Sequence, residues 1–187
     1  MEVVLASASP RRSELLGLLV PEFRCAPSTI DEAAREQEPP LAYVQRMAIE
    51  KAAAHSACEA IVIGADTIVE HDTMILGKPL DRDHAFATLR RLSGRAHWVH
   101  TAIAMMQGDR RLERCVSTEV SFVPLTDAMI AAYLDTDEPW DKAGSYAIQG
   151  LAGSFVKKIN GSYSSVVGLP LAETREMLTA LGVKLHW

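Results

Sequence analysis

Apolar positions in this chain fall into two kinds of run. Val3-Val4-Leu5 and Ala60-Ile61-Val62-Ile63 are short and continuous, the pattern of strands buried on both faces, whereas Leu41, Val44, Ala48, Ala52 and His55 recur at helical spacing. The first run leads into Ser7-Ala8-Ser9-Pro10-Arg11-Arg12 and then the amphipathic segment Glu14-Leu15-Leu16-Gly17-Leu18-Leu19, which predicts strand, tight loop and helix. Ser9 suits the N-cap, and Pro10 suits the first helical position, where its missing N–H costs nothing.

Further along, Phe23-Arg24-Cys25-Ala26 predicts a second strand, Pro27 to Pro40 a polar loop, and Leu41 to about Cys58 a helix with Lys51 at the edge of its apolar stripe. The run at Ile61-Val62-Ile63 is predicted to end at Gly64-Ala65-Asp66-Thr67, delivering a carboxylate at a buried strand end. Ile68-Val69-Glu70 and Met74-Ile75-Leu76 predict a hairpin closed by Gly77-Lys78-Pro79. Asp81 then caps a helix to Leu92. His97 to Met106 and Leu112 to Val123 predict strands joined at Gly108-Asp109, and Thr126 starts a helix to Leu134. Asp141 to Gly150 is a glycine-punctuated polar stretch. Phe155-Val156 and Val166-Val167 predict strands around the Asn160-Gly161 turn, Pro170 to Leu181 a last helix, and Val183-Lys184-Leu185 an edge strand. The mixture predicts an α/β domain on a mixed sheet, one domain over residues 1–187, with a two-lobed form equally compatible.

Composition narrows the classes of function. With 187 residues, 48% of them apolar and 23% charged, the balance is that of a folded globular chain. The net charge of −5 repels nucleic acid as a whole, so phosphate chemistry here needs a local basic pocket and a small ligand. Cys25, Cys58 and Cys115 are odd in number and widely spaced, which points to neither a disulfide framework nor zinc. No apolar run reaches the length of a membrane span, and the N-terminus begins as a strand rather than as a leader, so a cytoplasmic protein is expected.

The candidate chemistry follows from charges at element boundaries. Arg11 and Arg12 sit in a first helical turn, where cations oppose the macrodipole. An anionic ligand at the free backbone N–H groups and the hydroxyls of Ser7 and Ser9 would offset that cost, although two solvated arginines at an ordinary surface helix start fit the spacing as well. Lys51 and Lys78 add cations, with snorkelling as the plain alternative for Lys51. Asp31, Glu32 and Asp66 offer the oxygen ligands that metal-assisted phosphoryl chemistry requires, although unrelated surface ion pairs fit the same set. Gly77-Lys78-Pro79 lacks the spacing of a P-loop, the histidines show no close metal-ligand spacing, and no nucleophile elbow surrounds the serines.

Six ordered motifs, Ser7-Ala8-Ser9-Pro10-Arg11-Arg12, Gly64-Ala65-Asp66-Thr67, Gly77-Lys78-Pro79, Asp141-Lys142-Ala143-Gly144, Ile148-Gln149-Gly150 and Lys158-Ile159-Asn160-Gly161-Ser162-Tyr163, together resemble the Maf family of nucleoside triphosphate pyrophosphatases. The resemblance implies a mixed elongated sheet with flanking helices and two lobes around a cleft, as in the inosine triphosphate pyrophosphatases, and a homodimer. It also implies hydrolysis of a nucleoside triphosphate to monophosphate and pyrophosphate with a divalent cation, Mg²⁺ or Mn²⁺. Position by position it assigns Asp66 as proton acceptor and Arg12, Lys51 and Lys78 as phosphate-handling cations. Glu32 falls near the metal, and Arg11, Thr67 and Gln149 fall at positions tied to base choice; by the chemistry alone Asp66 either orients the water or joins Glu32 on the metal. Ile148-Gln149-Gly150 resembles the branch acting on dTTP and UTP. A 7-methyl-GTP or other modified-purine pyrophosphatase, and a nucleotide-sensing regulator of septation without turnover, are the alternatives.

Overall fold

The computed structural model describes residues 2–55 and 59–187, so Cys58 and the predicted end of its helix lie outside the described residues. In chain order the elements are β1 (Val3–Leu5), α1 (Pro10–Gly17), β2 (Arg24–Cys25), α2 (Pro40–Ala53), β3 (Ile61–His71), β4 (Met74–Leu76) and α3 (Arg82–Leu92). They continue with β5 (Ala96–Gln107), β6 (Arg110–Phe122), α4 (Asp127–Leu134), 3-10 turns at Ala143–Ser145 and Leu151–Phe155, β7 (Val156–Asn160), α5 (Tyr163–Val167) and α6 (Leu171–Ala180). The strands form one mixed seven-stranded sheet ordered β2-β1-β3-β5-β6-β7, with β4 paired to β3 off this path. β1 runs parallel to β2 and β3; β3 with β4, and β6 with β7, are antiparallel. The expected α/β class with a mixed sheet and flanking helices is what the structure has.

Two compact units divide the chain. The first comprises residues 1–66, 101–116 and 168–187, and the second residues 67–100 and 117–167. In the first unit, the odd positions of the strands (Val3, Leu5, Ile61, Ile63, Ala65, Ile103 and Met105) pack against Leu16, Met177 and Leu178 of α1 and α6. The opposite face of β3 receives α2. A Cβ on Gly64 would fall on the Ala48 carbonyl oxygen and 2.5 Å from the Ala52 nitrogen, so only glycine lets this helix lie so close to the strand. The second unit has its own core, with Val69, Leu89, Val99, Phe122, Ile130 and Phe155 among its buried members.

Three predicted elements differ. β3 does not end at Gly64-Ala65-Asp66-Thr67 but runs through to His71, so Asp66 projects from the middle of a long strand; the glycine marks helix contact, not a stop. Val166-Val167 is helical because Ser162 caps α5, its Oγ accepting from the Ser165 N–H at 3.2 Å. Val183-Lys184-Leu185 joins no ladder. That segment is tied down instead by His186, whose N–H donates to the Leu19 carbonyl at 3.1 Å.

Candidate active site

The start of α1 forms as its residue types dictate. Ser9 is in extended conformation at the cap, its Oγ accepts from the Arg12 N–H at 3.5 Å, and Pro10 opens the helix. Ser7 is buried, and its Oγ accepts from the Ser9 N–H at 3.1 Å and from Arg12 Nη1 at 3.3 Å. Arg12 Nε donates to the Gly168 carbonyl at 3.0 Å, so the guanidinium is clamped between the β1–α1 loop and the segment before α6. Burial lowers the Arg12 pKa, Asp66 and Glu32 oppose that shift with their negative charge, and neighbouring Arg11 adds to it. The cation therefore lies within the electrostatic reach of both carboxylates.

Those carboxylates meet at Lys51. Its Nζ lies 2.7 Å from Asp66 Oδ1 and 3.0 Å from Glu32 Oε1. Lys51 projects from α2 across the close approach at Gly64, Asp66 stands two residues further along β3, and Glu32 comes from the loop between β2 and α2. Lys51 and Asp66 are buried, while the Glu32 side chain is 56% exposed. Snorkelling does not describe this lysine; its ammonium is an internal counter-ion. Asp31, the other acid considered in this loop, instead accepts from the Ala33 N–H at 2.9 Å in a local turn.

A divalent cation suits this donor set. Asp66 and Glu32 each engage Lys51 through one oxygen, leaving the second oxygen of each carboxylate for a hard cation. Among the described residues no three His, Cys, Asp or Glu side chains cluster as a complete cage. Two carboxylates with substrate phosphates and water completing the shell is the usual way Mg²⁺ is held.

Thr67, Lys78 and Gln149 belong to the second unit. Lys78 is exposed at the hairpin closure and makes no ion pair among the described residues. Gln149 is exposed beside Gly150, where a Cβ would collide with the Glu138 carboxylate. Glu138 in turn accepts from the Leu151 and Ala152 N–H groups at 2.8 and 3.1 Å and from the Tyr133 hydroxyl at 2.9 Å. The loop carrying Gln149 is thus anchored while its amide is left to solvent.

Residues that the sequence reading did not single out surround Glu32. Tyr43 donates its hydroxyl to the Glu32 backbone carbonyl at 2.9 Å, and burial followed by the charges of Asp66 and Glu32 pushes its pKa up to about 12. Arg46 grips the same loop through Glu38. The available signal was an aromatic and an arginine one helical turn apart on the helix that carries Lys51.

A capped helix start, a clamped arginine and a lysine between two carboxylates thus stand together in the first unit of an α/β fold. The chain belongs to the Maf family: the model described as Maf-like protein matches residues 2–181. It is 52% identical over 195 residues to the dTTP/UTP pyrophosphatase of Shewanella sp. (strain MR-7), covering 98% of this chain and 100% of that protein. To the dTTP/UTP pyrophosphatase of Escherichia coli (strain K12) it is 51% identical over 178 residues, covering 94% of this chain and 90% of that one. The solved structure of the Staphylococcus aureus Ham1 protein overlaps 68% of this chain and 73% of its own, with 17% identity and a TM-score of 0.48, too loose an overlap to carry argument.

Proposed function

We propose that this chain hydrolyses dTTP and UTP to the nucleoside monophosphate and pyrophosphate, as a cytoplasmic homodimer dependent on Mg²⁺ or Mn²⁺. The observation that carries the chemistry is the Glu32–Lys51–Asp66 cluster beside the Ser7/Arg12 helix start. The substrate pair is supported by relatives of that printed name at 52% and 51% identity over nearly the whole chain. Dimerisation rests on the family resemblance. The cytoplasmic reading rests on unpaired cysteine usage, and among the described residues no helix is long and apolar enough to cross a membrane.

Water attacks the α-phosphorus in line, and the bond to the bridging oxygen breaks as pyrophosphate leaves. Glu32 and Asp66 would hold the divalent cation, which when bound would neutralise charge on the phosphoryl oxygens. Asp66 also orients the attacking water, its carboxylate accepting a hydrogen bond from it. Lys51 keeps the two carboxylates compatible in a buried place and neutralises charge on the phosphoryl oxygens, as Arg12 does from the start of α1. Lys78 stabilises the leaving pyrophosphate, and Arg11, Thr67 and Gln149 select the base. Incubation with Mg²⁺ and each nucleotide tests the proposal. Turnover releases many pyrophosphates per chain, whereas a sensor that only binds releases none.

A further inference from the structure

Glu32 lies on a segment that has no regular structure, because residues 27–39 form neither helix nor strand. Its side chain is more than half exposed, yet its carboxylate is placed 3.0 Å from the Lys51 ammonium. Holding an irregular loop in one conformation costs backbone entropy at every residue, so a fixed Glu32 needs fixed neighbours. They come from α2, the helix that also carries Lys51.

Arg46 is the centre of that attachment. Its Nε and Nη2 donate in parallel to the two oxygens of Glu38, each at 2.6 Å, with side-chain exposures of only 13% and 9%. Nη2 also donates to the Ala33 carbonyl at 3.0 Å, one residue past Glu32, and Nη1 lies 3.4 Å from both oxygens of Glu50. The Arg46 guanidinium lies over the Tyr43 ring, 5.5 Å from its centroid, and Tyr43 donates to the Glu32 carbonyl itself. Glu38 folds its own turn as well. Its carboxylate accepts from the Arg35 N–H at 3.0 Å, its N–H donates to the Arg35 carbonyl at 3.1 Å, and Gln37 between them has a φ of 55°. The hydrogen bond from Arg46 holds the Glu38 carboxyl at about 2, so the pair stays ionised throughout the neutral range.

Among the described residues, Arg46 and Glu38 make no hydrogen bond or ion pair to Lys51, Asp66 or the Glu32 side chain. Their bonds end on loop backbone just after Glu32, at Ala33 and Arg35, on Glu50 and on one another. A bidentate arginine fork specifies direction as well as attraction, which a lysine at the same place could not do.

We propose that Arg46, with Glu38 and Tyr43, is a positioning residue that fixes Glu32 for a divalent cation. The inference rests on the reading of Glu32 and Asp66 as cation ligands given above. It differs from an ordinary stabilising role in one respect: the contribution of Arg46 to cation affinity passes through the Glu32 carboxylate and disappears when that carboxylate is removed.

The test is Mn²⁺ binding to the full chain, followed by electron paramagnetic resonance of the free ion, for the wild type, Glu32→Gln, Arg46→Gln, Glu38→Gln and the double variant Glu32→Gln/Arg46→Gln. Arg46→Gln and Glu38→Gln are each expected to weaken Mn²⁺ binding at least about tenfold, the usual effect of removing a partner that orients a ligand. In the Glu32→Gln background, Arg46→Gln is expected to add less than about twofold. High Mn²⁺ restores turnover in Arg46→Gln but not in Glu32→Gln. Full affinity in folded Arg46→Gln, or the same loss in both backgrounds, overturns the positioning role. Glu38→Gln gives an independent answer should Arg46→Gln fail to fold, since it keeps the shape of the side chain and leaves the Arg46 bonds to Ala33 and Glu50 in place. Unchanged affinity in Glu32→Gln overturns the cation reading itself, which separates that failure from the failure of Arg46 alone.

Discussion

Lys51 Nζ lies 2.7 Å from Asp66 Oδ1, with the two residues only 7% and 8% exposed. Two ionised groups are stable there because each satisfies the other and because Glu32 shares the ammonium from the solvent side. The geometry exists only because Gly64 lets α2 lie against β3. Packing of the first unit's core and placement of its charges are therefore one problem with one solution.

Asp66→Asn keeps the shape of the side chain and removes the charge that aims water and holds the cation. Lys51 retains Glu32 as a partner, so the variant is expected to fold while kcat falls at least about a hundredfold. Pyrophosphate release measured beside circular dichroism checks both halves. A folded variant with near wild-type release would remove Asp66 from the chemistry.

Arg12→Ala breaks the clamp on Ser7 and Gly168 and takes away a cation at the helix start. Lys78→Ala removes an exposed cation that makes no ion pair among the described residues. Each is expected to lower kcat/KM at least about tenfold, about 1.4 kcal/mol of transition-state stabilisation. The Lys78 variant should keep the wild-type melting temperature; the Arg12 variant should lose some of it. Unchanged kinetics in both would leave them as structural or surface charges.

Gln149→Ala tests base selection. A glutamine amide matches the N3–H donor and O4 acceptor of uracil and thymine in one plane, and losing a polar match typically costs about 1–3 kcal/mol. The ratio of kcat/KM for UTP to that for CTP is expected to fall about tenfold or more, with stability unchanged because the residue is exposed. An unchanged ratio would exclude it as the base reader.

Acid stability is governed in part by His97, buried in the second unit with its Nε2 2.8 Å from the Tyr146 hydroxyl. Burial and then the neighbouring His71 lower its pKa to about 3, so the folded state holds it neutral while the unfolded chain protonates it near 6.5. The unfolded state then binds more protons between these values. This contribution is complete above about pH 6.5 and is lost as pH falls towards 3. His97→Gln is expected to be less stable than wild type at pH 7 and to flatten the fall of melting temperature between pH 6.5 and 4. An unchanged slope would assign the acid sensitivity elsewhere.

Much of this was legible in the residues because the signals are local. Caps at Ser9, Asp81 and Thr126 all accept the hydrogen bonds that their types predict. Lys51 stands out as a cation at the edge of an apolar stripe and Asp66 as a carboxylate after a buried run, whereas Glu32 is one of several acids in a polar loop and only the family resemblance separates it from Asp31. Other features depend on partners distant in sequence. Gly64 reads as a terminator until α2 is seen against it, and Val166-Val167 reads as strand until Thr118 Oγ1 is found accepting from the Ser162 N–H at 3.0 Å, beside a Gly161 whose φ is 138°. The fork between Arg46 and Glu38 joins a helix face to an irregular loop, and no periodicity marks such a pair.

The most direct test of the account is hydrolysis in ¹⁸O-water with Mg²⁺, comparing dTTP, UTP, CTP, GTP and 7-methyl-GTP and identifying both products. The expected result is a kcat/KM for dTTP and UTP at least about tenfold above the other three, with one ¹⁸O in the monophosphate and none in pyrophosphate. Preference for 7-methyl-GTP, release of orthophosphate, or label in the pyrophosphate would contradict it.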